Sequence, residues 1–209
     1  MHASATAHPA EHETTTGLDN RKLLMWAFLG SDCLFFGSLI STYMIYRGRS
    51  LNPPFPGEIF DIPYTSVSAF VLLMSSLTMV LALAALRRDD QRATKAWILA
   101  TALLGSIFVG GQVFEFTVFV HEGLYLGSNL FGTTFFVLTG FHGTHVTLGI
   151  VILLSFFVQA MRGKLRPENS LMLETAGLYW HFVDIVWIVI FTLVYLLPYP
   201  EQVTAALTH

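Results

Sequence analysis

FGTTFFVLTGFHGTHVTLGIVILLSFFVQAM, running from Phe131 to Met161, contains no Asp, Glu, Lys or Arg. About 20 mostly apolar residues suffice to cross a bilayer, whereas apolar runs of roughly 10 to 14 belong to buried helices of soluble proteins. The stretch therefore reads as a membrane-spanning helix. It is continuously apolar, unlike the alternating segments of about ten residues that build a membrane barrel, so strand is rejected. It is also longer than a straight crossing needs, which predicts a tilt or a helical turn emerging at one end. Working outward, four more stretches qualify: Leu23 to Tyr46, Thr65 to Leu86, Ala96 to Val120 and Thr175 to Leu197. The fold class is all-α, an integral membrane bundle of five transmembrane helices.

Composition agrees with that reading. Over 209 residues the apolar set AVILMFWYC makes up 54 %, charged residues 12 %, and mean hydropathy is +0.60. Soluble domains carry about a quarter charged residues, so a soluble globule is excluded. The net charge of -3 forms no basic stripe, which leaves nucleic acid nothing to meet. Cys33 is the single cysteine. An internal disulfide, a thiolate zinc site, a CxxCH haem attachment and a two-cysteine copper centre are thereby ruled out.

Residues 1–20 lack apolar periodicity and read as a disordered tail, 21–200 as the five-helix domain, and 201–209 as a short C-terminal tail. The first tail carries Glu11, Glu13 and Asp19 and precedes an apolar run too long for a signal h-region, so a signal peptide is not expected. Between the first two spans, Leu51 to Tyr64 holds Pro53, Pro54, Pro56 and Pro63 and cannot be helical throughout. If the helices alternate, one side collects Arg21, Lys22, Arg87, Arg88, Arg92, Lys95, Arg162, Lys164 and Arg166, against Arg47 and Arg49 on the other. The positive-inside rule then puts the N-terminus in the cytoplasm and the C-terminus outside.

Six ionisable side chains fall inside the spans: Asp32, Glu115, His142, His145, His181 and Asp184. A carboxylate facing lipid at a helix centre costs about 2.5 to 3.5 kcal/mol on insertion scales, so these groups are expected to point inward and find partners. His142 and His145 lie three apart, on one face of their helix, and His181 and Asp184 repeat that spacing on the last helix. Asp32 and Asp184 stand at similar depth and could share a layer, with His145 or His181 as the partner of Asp32. Three readings compete. Imidazoles at HxxH spacing can hold a metal or haem, but the spans offer three histidines and lack the paired ExxH motifs of a di-iron bundle. Intramembrane acids also suit a proton-coupled transporter, against which stands the absence of a visible repeat. The third reading is structural: Asp–His and Glu–Gln or Glu–Ser pairs lock the helices, while small residues such as Gly30, Gly105, Gly111, Gly140 and Gly149 let them approach.

Three long strings, FGTTFFVLTGFHGTHV (Phe131 to Val146), GQVFEF (Gly111 to Phe116) and YWHFVDIVWIVIFTLVYL (Tyr179 to Leu196), closely resemble subunit III of the haem-copper respiratory oxidases. SDCLFF (Ser31 to Phe36) and SSLTMVLALAAL (Ser75 to Leu86) fit the same family in order, so the resemblance covers about Lys22 to Pro198. It implies a non-catalytic subunit in a bacterial plasma membrane, with no redox centre or metal of its own. Haems and copper would sit in partner subunits, chiefly subunit I, which this subunit would stabilise and whose proton uptake it would support. The resemblance also implies bound phospholipid in a cleft; the two N-terminal helices with which longer members form that cleft are absent, so the cleft is not carried over intact. Glu115, His142, His145, His181 and Asp184 match the family strings, and Asp32 stands where many cytochrome c oxidase members carry Glu. GSNLFGTTFFVLTGFHG (Gly127 to Gly143) resembles the cytochrome c branch, whereas Asp32 and FDIP (Phe60 to Pro63) resemble quinol oxidases. The expectation is a cytochrome c oxidase subunit, with a quinol oxidase subunit or a small transporter as alternatives.

Overall fold

The structure, a computed structural model, describes residues 19–47 and 60–197. It contains five long helices, each apolar and long enough to cross a membrane: α1 Asn20–Tyr46, α2 Ile62–Arg87, α3 Gln91–His121, α4 Leu130–Met161 and α5 Ser170–Phe191. A single 3-10 turn, Pro167–Asn169, leads into α5, and a π turn, Thr192–Leu196, continues it. Apart from Asp19 and Asn20, which open α1, both expected tails lie outside the described residues, as does most of the proline-rich loop.

Helix starts are set by short polar side chains that accept from backbone N–H groups left without an intrahelical partner. Asp19 accepts from Arg21 N at 2.8 Å, Asp61 from Tyr64 N at 3.1 Å, Asp90 from Ala93 N at 3.0 Å and Asn129 from Gly132 N at 2.6 Å. These caps explain why α1, α2 and α3 begin three to five residues before the apolar runs do. Hydropathy marks the part of a helix that suits lipid, whereas the hydrogen-bonded helix continues into a polar first turn such as Gln91–Lys95. Pro63, expected in the loop, instead occupies the first turn of α2, where its missing N–H costs nothing. At the far end of α4, Gly163 adopts φ +66° just beyond Arg162, the left-handed conformation that ends a helix most cheaply with glycine.

α2 and α3 form a hairpin around Arg88–Asp90, α4 packs beside α3, and α5 packs against α2, α4 and α1. α5 is accordingly the most buried of the five, and α1, docked on α4 and α5, the least. The core is continuous along the bundle and rich in large rings, with Phe108, Phe119, Phe131, Phe135, Trp180 and Trp187 buried. At one end Glu174 bridges Lys22 at 2.7 Å and Arg87 at 2.8 Å, joining α5 to α1 and α2. At the other, Arg47 donates to the carbonyl of Leu197 at 2.9 Å.

Candidate functional site

The six intramembrane ionisable residues do not form one cluster. They are divided among three polar contacts and one aromatic box, each bridging a different set of helices.

Asp32 and His145 join α1 to α4. The Asp32 carboxyl is buried and its Oδ2 lies 3.8 Å from His145 Nε2. His145 Nδ1 is 2.8 Å from the carbonyl of Phe141, and a carbonyl can only accept, so Nδ1 carries the hydrogen. In the neutral ring Nε2 then faces the carboxyl with a lone pair, at a separation longer than a hydrogen bond, and Asp32 Oδ2 has no hydrogen-bond partner among the described residues. Phe36 packs its ring 5.0 Å from that imidazole, and the Tyr179 hydroxyl donates to the His145 carbonyl at 3.0 Å. Of the two partners expected for Asp32, the structure selects His145.

His142, one turn earlier on α4, turns away from this pair. Its Nε2 is 3.2 Å from the carbonyl of Val183, which makes Nε2 the donor, and no protein group satisfies Nδ1. Three rings from three helices enclose it: Trp187 of α5 stacked at 4.9 Å, Phe108 of α3 edge-on at 6.0 Å and Phe36 of α1 at 6.5 Å. The spacing that suggested a shared face for His142 and His145 brings both to Phe36 but gives them different polar partners, and they do not converge on one point.

On α5, His181 Nδ1 lies 2.6 Å from the Ser76 hydroxyl of α2. Asp184 is buried one turn on; neither of its oxygens completes a hydrogen bond, and the Ser76 hydroxyl that contacts His181 lies beside it. Asp32 and Asp184 are not in contact with each other through any hydrogen bond. Glu115 of α3 accepts from the Thr65 hydroxyl of α2 at 2.7 Å and from the Tyr195 hydroxyl beyond α5. The Gln or Ser partner expected for Glu115 is thus replaced by Thr and Tyr, while Gln112 donates to the backbone carbonyl of Thr139 at 3.0 Å.

Residues that sequence reasoning took only as small or apolar prove central. Trp180 donates from Nε1 to the Ser75 hydroxyl at 2.9 Å, and its indole lies against Gly105 and Gly149, so one side chain of α5 meets α2, α3 and α4. The adjacent Ser75–Ser76 pair in an otherwise Leu- and Met-rich span was the available signal, since two hydroxyls there need partners. Among the described residues no hydrogen bond links the Asp32–His145 pair, His142 and Glu115 to one another. Nor do any three or more His, Cys, Asp or Glu among them converge on a point where an ion could sit. What this arrangement does is to place single ionisable groups at separate positions and to tie helices together.

Comparison with known proteins gives a consistent result. Residues 6–199 match the family described as cytochrome c oxidase subunit III. The chain is 39 % identical over 196 residues to quinol oxidase subunit 3 of Bacillus subtilis, covering 94 % of this chain and 95 % of the relative. It is 36 % identical over 203 residues to cytochrome c oxidase subunit 3 of Bacillus sp. (strain PS3), covering 94 % and 98 %. With cytochrome c oxidase subunit 3 of Thermostichus vulcanus it shares 35 % identity over 196 residues, covering 93 % and 94 %.

Proposed function

The chain belongs to the cytochrome c oxidase subunit III family, and on that premise we propose that it is the non-catalytic third subunit of a proton-pumping terminal oxidase. It is a multi-pass membrane protein, and as a member of this family it associates with other oxidase subunits. In the proposed role it braces subunit I in the plasma membrane and supports proton uptake there, while the haems and copper that reduce oxygen to water are held by its partners. Its N-terminus is cytoplasmic, an orientation supported by the Lys and Arg asymmetry. Bound phospholipid belongs to the same proposal, as do supporting roles for Asp32, Glu115, His142, His145, His181 and Asp184.

The observation that carries the reading is the family match over almost the whole chain, with the intramembrane acids and imidazoles in place inside the matching strings. Cytochrome c is the proposed electron donor, on the strength of Gly127 to Gly143. A quinol donor is the second reading, favoured by the 39 % identity to quinol oxidase subunits. Affinity purification of the tagged chain from native membranes tests both. A haem-bearing large subunit and cyanide-sensitive oxygen consumption should accompany it, driven by reduced cytochrome c for the first donor and by a quinol for the second. Purification without any haem protein would defeat the oxidase reading.

A further inference from the structure

At the end of the bundle where Lys and Arg collect, the start of α3, the end of α4 and the loop that follows it enclose a pocket of about 360 Å³. Its walls carry two cations, Lys95 and Arg166, and two carboxylates, Asp89 and Glu168. Lys95 directly precedes the apolar run of α3, and Ala160, on the pocket wall, stands one residue before the end of the apolar run of α4. The pocket therefore lies at the level where hydrocarbon gives way to phospholipid headgroups. Built from α3, α4 and their connections, it owes nothing to the N-terminal helices with which longer members of the family form their cleft.

The loop that closes the pocket is held in place: Leu165 is buried, Gly163 turns the chain at φ +66°, and Asn169 Nδ2 donates to the Lys164 carbonyl at 3.3 Å. The charges on its walls are nevertheless unspent. Among the described residues Lys95, Arg166 and Glu168 form no ion pair, and the Asp89 carboxylate accepts from the neutral amide of Gln91 at 3.0 Å. At the same end of the bundle Lys22 and Arg87 both close on Glu174. A single unpaired charge in water needs no explanation. Two of each sign around one pocket, none closing on its opposite, form complementary seats for a ligand that itself carries both charges. A phosphate takes charge-assisted hydrogen bonds from Lys and Arg, and an ammonium with N–H groups gives them to carboxylates.

We infer that this pocket seats the headgroup of a zwitterionic phospholipid with a primary ammonium, its phosphate against Lys95 and Arg166 and its ammonium against Asp89 and Glu168. Bound phospholipid belongs to the proposed function; the inference rests on that reading and gives it a place and a headgroup. Phosphatidylcholine brings the same phosphate but a quaternary ammonium with no N–H to donate. Phosphatidylglycerol brings no cation at all and leaves both carboxylates facing an anion. Phosphatidylethanolamine is therefore the preferred ligand of the three.

The test uses the complex purified from native membranes in mild detergent, washed free of loosely held lipid and titrated with each of the three phospholipids, the bound molecules being counted by native mass spectrometry. Lys95→Gln combined with Arg166→Gln should weaken phosphatidylethanolamine binding about thirtyfold, the share of two cations beside an anionic group. Asp89→Asn combined with Glu168→Gln should reverse the order of phosphatidylethanolamine and phosphatidylglycerol, and Asn tolerates the φ of +57° at position 89. Arg88→Gln combined with Arg92→Gln, at the same end but off the pocket wall, should leave binding at the wild-type level. Equal affinity of the wild type for phosphatidylethanolamine and phosphatidylglycerol, or equal losses from the two cation pairs, would overturn the site. Displacement of the lipid by soluble phosphoethanolamine at matching concentration would assign the pocket to a free phosphate compound and overturn the membrane ligand. Phospholipid retained equally by the wild type and the Lys95 and Arg166 variant defeats this site alone, whereas a wild-type complex that retains no phospholipid defeats the wider lipid reading.

Discussion

Replacing Gly105 or Gly149 by alanine should destabilise the bundle through one shared side chain, Trp180. A Cβ at position 105 would stand 2.6 Å from the Trp180 Cη2 atom and 2.9 Å from Cζ2; at position 149 it would stand 2.8 Å from both Cε3 and Cζ3. Those atoms belong to a rigid, almost fully buried ring that is also held at Nε1 by Ser75. The indole cannot move away from α3 without pressing on α4, nor from α4 without pressing on α3. Overpacking of that kind costs about 1 to 3 kcal/mol per site. The two costs should not add, because both act through the same ring. Trp180→Phe shortens the side chain, relieving the clash while forfeiting the bond to Ser75. In that background Gly105→Ala should therefore cost less, with a coupling energy of about 0.5 to 3 kcal/mol. Denaturant titration of the purified chain in detergent, followed by the four corners of the cycle, measures this directly. An unchanged midpoint for Gly105→Ala, or the same loss with Trp and with Phe at position 180, would refute the keystone role of the indole.

Further outcomes follow from the other contacts. Asp32→Leu leaves Nε2 of His145 facing an apolar group and should cost about 1 to 3 kcal/mol, whereas Asp32→Asn keeps a hydrogen-bonding side chain and should be milder; if the carboxyl also supports proton uptake, Asp32→Asn will assemble normally and shorten the working life of the oxidase. Wild-type retention and oxygen-consumption time courses in both variants would show that the acid serves neither purpose. Thr65→Val removes a donor from buried Glu115 and should destabilise by about 1 to 3 kcal/mol, with Thr65→Ser restoring most of the loss; equal midpoints for Val and Ser would exclude the hydroxyl as the cause. For orientation, single cysteines at Ser128 and Gln91 in a Cys33→Ser background should react with an impermeant thiol reagent in intact cells only at position 128, and labelling at 91 would reverse the topology.

The five spans were legible because lipid imposes a simple requirement: continuous apolar length that no soluble helix needs. Their ends were less legible, since Asp61, Asp90 and Asn129 act through backbone hydrogens that hydropathy does not register. Inside the bundle, the need of each buried acid for a partner could be stated from the sequence, and the choice for Asp32 narrowed to two imidazoles. Which of them it meets depends on the rotation of α1 about its axis, and that is fixed by the packing of Leu29, Phe36 and Tyr43 on two other helices. Glu115 found Thr65 because the first turn of α2 runs beside the last turns of α3, a juxtaposition set by the length of the hairpin between them. The aromatic box of His142 takes one ring from each of three helices, and no local pattern announces such a site. Gly105, Gly149 and Gly140 look alike as letters in apolar runs. Only the packed structure separates the two that face an indole from the one that faces open space.

The weakly buried α1 gives the polar contacts their physical meaning. Leu29, Phe36 and Tyr43 are spaced by seven residues and form a single narrow seam, while the opposite side exposes side chains such as Leu24 and Leu34. In water that seam would be held by the hydrophobic effect, but within a bilayer lipid tails are as apolar as leucine, so burying it releases little free energy. Adhesion must come from close packing and from polar groups that lipid cannot satisfy. α1 carries one such group near its middle, Asp32 facing His145, and one at its end, Arg47 on the Leu197 carbonyl. Lys22, bound to Glu174, adds a third at the opposite end. Three charged or ionisable side chains, at the two ends and near the middle, thus hold to the bundle a helix whose apolar surface alone would not choose between protein and lipid, and this makes the intramembrane carboxyl of Asp32 an anchor for α1 whatever further use is made of its proton.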